Sequence, residues 1–287
     1  MEKYNYNNKD YHTHISSKHH WYELNLNEVW RYRDLIFLFT KRNFLLTFKQ
    51  TILGPIWIFL NPFLTSVVFT LVFGRIADIS TDGVPQILFY LCSNALWAFF
   101  SECISKNSAT FVANANVFGK VYFPRITVPI SNTISSLIRF GIQMLMVALF
   151  LIYYIVQGDV RPNWNAWFMI PLVLLQLGVL GIGIGVLISS LTTKYRDLFI
   201  VVGFGISLWM YATPVVYPLS QIGEGIIKNL VLLNPVTPAI EMFRYAILGE
   251  GTIIPQYLLI SLVITIVVAF GGMIMFSRVE KTFMDTV

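Results

Sequence analysis

The sequence predicts an all-α integral membrane protein: six transmembrane helices, an amphipathic interfacial helix before the first, and a re-entrant helical hairpin before the last. Three observations carry this prediction. Only 12% of the 287 residues are charged, about half the share found in a soluble domain. Uncharged runs cover residues 50–74, 83–101, 140–158, 162–193, 198–223 and 251–277; about 19 residues of helix suffice to cross the roughly 30 Å of hydrocarbon in a bilayer. Lysine and arginine collect on alternate flanks of these runs, the bias that marks cytoplasmic segments.

Residues 1–26 form a polar tail. His12, His14, His19 and His20 lie there without acidic or cysteine partners at a fixed spacing, so no metal site is expected. No apolar core follows the basic start, and no cleavable signal peptide is expected. Residues 27–50 are the interfacial helix. Wound at about 100° per residue, Glu28, Arg31, Asp34, Lys41, Arg42 and Lys49 fall in one sector of roughly 140°. Val29, Trp30, Tyr32, Ile36, Phe37, Phe44 and Phe48 lie mainly outside it, and Arg33, Leu35 and Leu38 break the pattern. A basic, aromatic-rich segment of this kind lies in the plane of the membrane surface.

Residues 51–287 hold the six spans, at about 54–75, 86–112, 127–156, 165–191, 198–218 and 254–276. With the N-terminus inside, the cytoplasmic flanks carry Arg31, Arg33, Lys41, Arg42, Lys49, Lys120, Arg125, Lys194, Arg196, Arg278 and Lys281. The outer flanks carry only Arg75, Arg161, Lys228 and Arg244, so both termini are expected in the cytoplasm. The net charge of +5 reads as anchoring at that face and not as nucleic-acid binding. Cys92 and Cys103 are expected to be reduced packing residues of the second span. Gly178, Gly181, Gly183 and Gly185 give the fourth span a small-residue face for close helix packing.

The segment 219–253 contains an apolar stretch too short to span and broken by Pro235 and Pro238. Broken helices at membrane depth must be buried in protein or line a cavity. Two short helices hinged at 234–238 are therefore expected to enter and leave from outside, with Glu241 and Arg244 on one face of the second. Asn234, Pro235, Pro238, Glu241 and Arg244 are the candidate outer gate.

No phosphate-binding G-x-x-x-x-G-K-[ST] loop, nucleophile elbow or paired zinc-binding histidine motif occurs, so this chain is expected to bind no cofactor and to be no enzyme. Charges inside spans are costly and mark candidate sites. Glu102 and Lys106 are four apart, in the favourable order for an ion pair. Arg139 has no partner readable from sequence: it either reaches an acid on another helix or faces an aqueous or anionic path. The 23 Phe, 14 Tyr and 7 Trp supply interfacial belts and flat surfaces on which sugars can stack.

The tracts TFKQTILGPIWIFLNPF (47–63), FGKVYFPRITVPIS (118–131) and LNPVTPAIEMFRYAILG (233–249), in this order, resemble the membrane subunit of ABC-type polysaccharide exporters, the group of O-antigen and teichoic-acid export permeases. The resemblance covers nearly everything after about residue 26. It implies a half-transporter of the bacterial inner membrane: two copies form the pathway, and two separate ATPase subunits supply ATP and Mg. It implies a coupling helix at 114–125, where Phe118, Lys120, Tyr122, Phe123, Pro124 and Arg125 dock on the ATPase. The implied substrate is a glycan on a polyprenyl diphosphate, which Arg31, Arg33, Lys41 and Arg42 can meet at the cytoplasmic membrane face. A teichoic-acid or capsule glycolipid exporter, or a membrane-bound enzyme of polysaccharide assembly, is the alternative reading.

Overall fold

The computed structural model describes residues 26–49, 54–193, 195 and 197–286. The tail with its four histidines, residues 50–53, Lys194 and Arg196 lie outside the described residues, as do the side chains of Glu28, Phe48 and Lys281. Among the described residues there are eleven α-helices and no strand.

The interfacial segment is two helices, α1 (Leu26–Arg31) and α2 (Arg33–Phe48), divided at Tyr32. Next, α3 (Ile56–Phe69) starts behind Pro55, whose fixed φ suits a helix start, and runs on through a π-helical stretch to Ile76. The central helix is α4 (Gln86–Ser108), which is buried nearly all round. After a break at Ala109 comes the short α5 (Thr110–Phe118). Two long helices follow, α6 (Thr127–Gln157), ended by Gly158 in the left-handed region (φ 86°), and α7 (Met169–Thr192). Then come α8 (Leu198–Tyr211), α9 (Ile226–Leu233), α10 (Thr237–Leu248) and α11 (Pro255–Thr286).

Among the described residues, five helices are long and apolar enough to cross a membrane: Ile56–Ile76, Gln86–Ser108, Thr127–Gln157, Met169–Thr192 and Pro255–Glu280. The expected fifth span is shorter than its uncharged run. It stops at Tyr211, about 21 Å of helix, because Pro214 disfavours helical geometry at Thr213 before it. Not one α8 side chain is buried.

The bundle is organised around α4 and α7. The latter packs most extensively on α11 and α4, and α4 in turn on α6. A Cβ on Gly181 would sit 2.6 Å from Cys103 Cβ, and one on Gly183 would sit 2.8 Å from Ala269 Cα. Only glycine lets α7 approach α4 on one side and α11 on the other so closely. Cys92 and Cys103 are both free and buried.

Candidate functional site

At one end of the bundle, aromatic side chains from three helices and a loop, joined by aliphatic ones, form a second core distinct from the main one. Phe39 of α2, Phe111 and Phe118 of α5, Phe123, Val186 of α7 and Phe276 of α11 cluster there. Phe111 stacks on Phe276 with centroids 4.6 Å apart, and Phe123 lies between Phe118 and Phe39 at 5.7 and 5.6 Å. Arg125 covers the Phe118 ring at 5.3 Å, donates to the Glu280 carbonyl at 2.8 Å and pairs with the Glu280 carboxylate. Burial pulls the Arg125 guanidinium below its ordinary value, and the Glu280 charge opposes that.

This geometry corrects the coupling helix expected at 114–125. The helix runs Thr110–Phe118, and residues after its cap at Gly119 are irregular up to Ile126. Phe118 and Phe123 are buried, so they hold the loop to the bundle and present no surface to a partner. Pro124 and Arg125 are half-buried, and the residues that project outward are Lys120, Val121 and Tyr122, the last 78% exposed. Sequence placed Phe118, Tyr122 and Phe123 together because nothing local distinguishes the buried rings from the exposed one.

The same end holds a polar network that sequence reasoning missed. Arg42 donates to Asn43 Oδ1 and to Asn114 Oδ1 at 3.3 Å, and its guanidinium lies over Phe39 at 4.7 Å. Asn43 donates to Asn132 Oδ1 at 2.8 Å, Asn132 to Asn107 Oδ1 at 3.1 Å, and Asn107 to Thr133 Oγ1 at 3.1 Å. Four elements, α2, α5, α6 and α4, are thereby joined through side chains, and Asn107, Asn114 and Asn132 are buried. A legible signal existed: Thr127, Ser131 and Ser135 recur every fourth residue of α6, with Asn132 and Ser136 beside them, marking a polar helix face on which Ser131, Asn132 and Ser136 find partners. Of the four basic residues placed at the substrate's entry, Arg42 is engaged in this network, whereas Arg31, Arg33 and Lys41 are exposed. The exposed face of α2 carries Phe37, Leu38, Leu45 and Leu46, so the helix shows apolar surface outward and buries Phe39 and Thr40 against the bundle.

The charges within the spans converge. Lys106 Nζ lies 2.8 Å from Glu102 Oε1, and the Arg139 guanidinium pairs with that same oxygen while donating through Nη2 to Thr47 Oγ1. Of the two alternatives open for Arg139, the acid on another helix is the one realised.

At the opposite end, α9 and α10 meet at a hinge over 234–236, two residues shorter than the expected 234–238, since Thr237 and Pro238 already form the first turn of α10. Asn234 Oδ1 accepts from Trp209 Nε1 at 3.2 Å and from the Val236 amide, and its Nδ2 donates to Thr213 Oγ1 at 2.8 Å. On the other side the Pro235 carbonyl accepts from Ser261 of α11, which accepts from Gln176 of α7. Glu241 and Arg244 form an ion pair, each 2% exposed. The Thr252 amide donates to Glu241 Oε2 at 2.8 Å, and Arg244 stacks on Phe89 at 4.6 Å. By contrast, α9 leaves Ile226, Ile227, Leu230 and Leu233 exposed. Among the described residues there is no group of three metal-ligating side chains.

Comparison with known proteins matches this architecture. A family profile described as ABC-2 type transporter covers residues 34–248, three quarters of the chain. The chain is 24% identical over 253 residues to the O-antigen export system permease protein RfbA of Klebsiella pneumoniae, covering 88% of this chain and 94% of that protein. It is 26% identical over 223 residues to the RfbA permease of Myxococcus xanthus, covering 76% and 82%. With its five membrane-length helices, the chain is a multi-pass membrane protein that belongs to the ABC-2 type transporter family.

Proposed function

We propose that this chain is the membrane-spanning subunit of an ATP-driven exporter that carries a lipid-linked, O-antigen-like polysaccharide from the cytoplasm across the inner membrane. The observation that carries this reading is the match to O-antigen export permeases along nearly their whole length. Two copies form the pathway, and the uncovered α8 is one surface available to the second copy. Two separate ATPase subunits bind ATP and Mg and dock from the cytoplasm on Lys120, Val121 and Tyr122. Both termini lie on that side. Arg31, Arg33 and Lys41 meet the substrate's charged head at the membrane surface, and α9 with the hinge at Asn234 forms the outer gate.

Proteoliposomes containing this chain and its ATPase partner test the reading. They are expected to move a fluorescent lipid-linked glycan in an ATP-dependent manner, while the chain alone hydrolyses no ATP above a mock preparation. Hydrolysis by the chain alone, or glycan movement without the ATPase, defeats it.

A further inference from the structure

We propose that Lys106 and Arg139 form a binding site for the phosphate group of a membrane lipid, with Glu102 as the internal counter-ion that holds the site when no lipid is bound. The two cations address one oxygen, Glu102 Oε1. One carboxylate neutralises one of them, so the cluster keeps a net positive charge inside the bundle, where unbalanced charge is costly. Donor capacity is in excess as well. Arg139 Nε is buried without a hydrogen-bond partner, and Lys106 Nζ makes no hydrogen bond beyond its ion contact. Buried donors left unmade are unfavourable, and an oxyanion with several acceptor oxygens removes the deficit.

A phosphate fits this arrangement better than a second carboxylate. The Nε–Nη edge of a guanidinium matches two phosphate oxygens in bidentate fashion, and an ammonium serves a third as a point charge. The cluster sits at the edge of the bundle: the side chains of Arg139, Glu102 and Lys106 are 17%, 22% and 24% exposed, while Arg139 Nε and Lys106 Nζ themselves lie just beneath that surface. The α6 residues around Arg139 that face outward, Ile134, Leu137 and Ile138, are apolar and exposed. Thr47, near the end of α2, borders the cluster through its bond to Arg139. A ligand approaching here meets an apolar wall beside a cationic pair, the pattern an amphiphile with an anionic head satisfies. That this head belongs to the exported lipid rests on the function proposed above; the anion site itself does not.

Native mass spectrometry of the purified full-length chain in detergent tests the site, with farnesyl diphosphate, farnesol and dioleoyl phosphatidylglycerol as probes. The wild-type chain is expected to bind at least one of the two phosphate-bearing lipids about tenfold more tightly than farnesol, a gap of 1.4 kcal/mol. Glu102→Gln, which removes the competing carboxylate, is expected to strengthen that binding several-fold. Arg139→Gln and Lys106→Met are expected to weaken it about tenfold, and Arg139→Lys to restore it only in part. A structural ion cluster predicts instead that Glu102→Gln leaves lipid binding unchanged or weakens it, and that outcome overturns the proposal even if the protein loses stability. Phosphatidylglycerol binding that follows the variants without farnesyl diphosphate binding upholds the anion site and counts against the exported lipid as its ligand. Farnesyl diphosphate binding that ignores all four variants overturns the site and leaves the export reading standing.

Discussion

Arg42 Nη2 donates to Asn114 Oδ1 at 3.3 Å, a bond between residues 72 positions apart that ties α2 to α5. Because Asn43 is bound in turn to Asn132, α2 cannot slide along α6 without breaking buried polar contacts. Hydrogen bonds between helices within a bilayer are worth about 0.6 kcal/mol on average, and those to charged groups more. A double-mutant cycle with Arg42→Met and Asn114→Ala, read by thermal unfolding in detergent, is expected to give a coupling of about 0.5–1.5 kcal/mol. A coupling of zero would mean that the two helices are held independently.

The loop after α5 separates docking from packing. Tyr122→Ala and Lys120→Ala are expected to weaken co-purification of the ATPase while leaving the unfolding temperature within about a degree or two, as surface changes do. Phe123→Ala removes a ring from the cluster of Phe39 and Phe118 and is expected to cost about 3–5 kcal/mol of stability. Reversed results, with a stable Phe123→Ala that still fails to bind the ATPase, would return the docking role to the buried ring.

The Glu241–Arg244 pair is sealed inside the protein, so replacing one half is expected to cost more than replacing both. Glu241→Gln leaves Arg244 as an uncompensated buried charge and is expected to destabilise by about 3–5 kcal/mol. Adding Arg244→Met in the same chain is expected to recover much of that loss. Additive losses in thermal unfolding would show that each residue acts through other partners, such as the Thr252 amide or Phe89.

Asn234 holds the hinge between α9 and α10 through Trp209 and Thr213. Asn234→Ala frees both contacts, and vesicles carrying it are expected to leak small ions at rest more than wild type in a dye-quench assay. A disulfide replacing the Asn234–Thr213 contact is expected to abolish export and reseal the vesicles. Normal export with that crosslink fully formed would make the hairpin a static plug.

The orientation is checked by labelling. In a background with Cys92 and Cys103 replaced, a cysteine at Ser80 or Asn163 is expected to react with an impermeant thiol reagent from outside. One at Asn116 is expected to react only after permeabilisation. The opposite pattern inverts the topology drawn from Lys120, Arg125 and their neighbours.

Much of the scaffold is written in one-dimensional features. Uncharged runs locate the long helices, and the prolines at 235 and 238 announce the break between α9 and α10, because both signals act through the local backbone. What stays hidden is set by contacts distant in sequence. Arg139 meets Glu102 across 37 positions, and Asn43 meets Asn132 across 89. The inward turn of Phe118 and Phe123 depends on rings from α2 and α11 that no window around residue 120 contains. The length of α8 was misjudged for a different reason: hydropathy measures what a segment tolerates and is blind to where its helical hydrogen bonds stop.

The glycine contacts on α7 also constrain how such a machine can work. With Cys103 pressed on Gly181 from one flank and Ala269 on Gly183 from the other, there is no gap in which α4 or α11 can tilt against α7. Packed surfaces of this kind shift in discrete steps or not at all. Under the function proposed above, work delivered at the loop after α5 is expected to move α4, α6, α7 and α11 as one chassis, and the play needed to widen a passage falls to the less firmly seated α3 and α8. A bulky side chain at Gly181 or Gly183 would split that chassis, and a stroke applied at one end would be spent as internal slip before it reached the other.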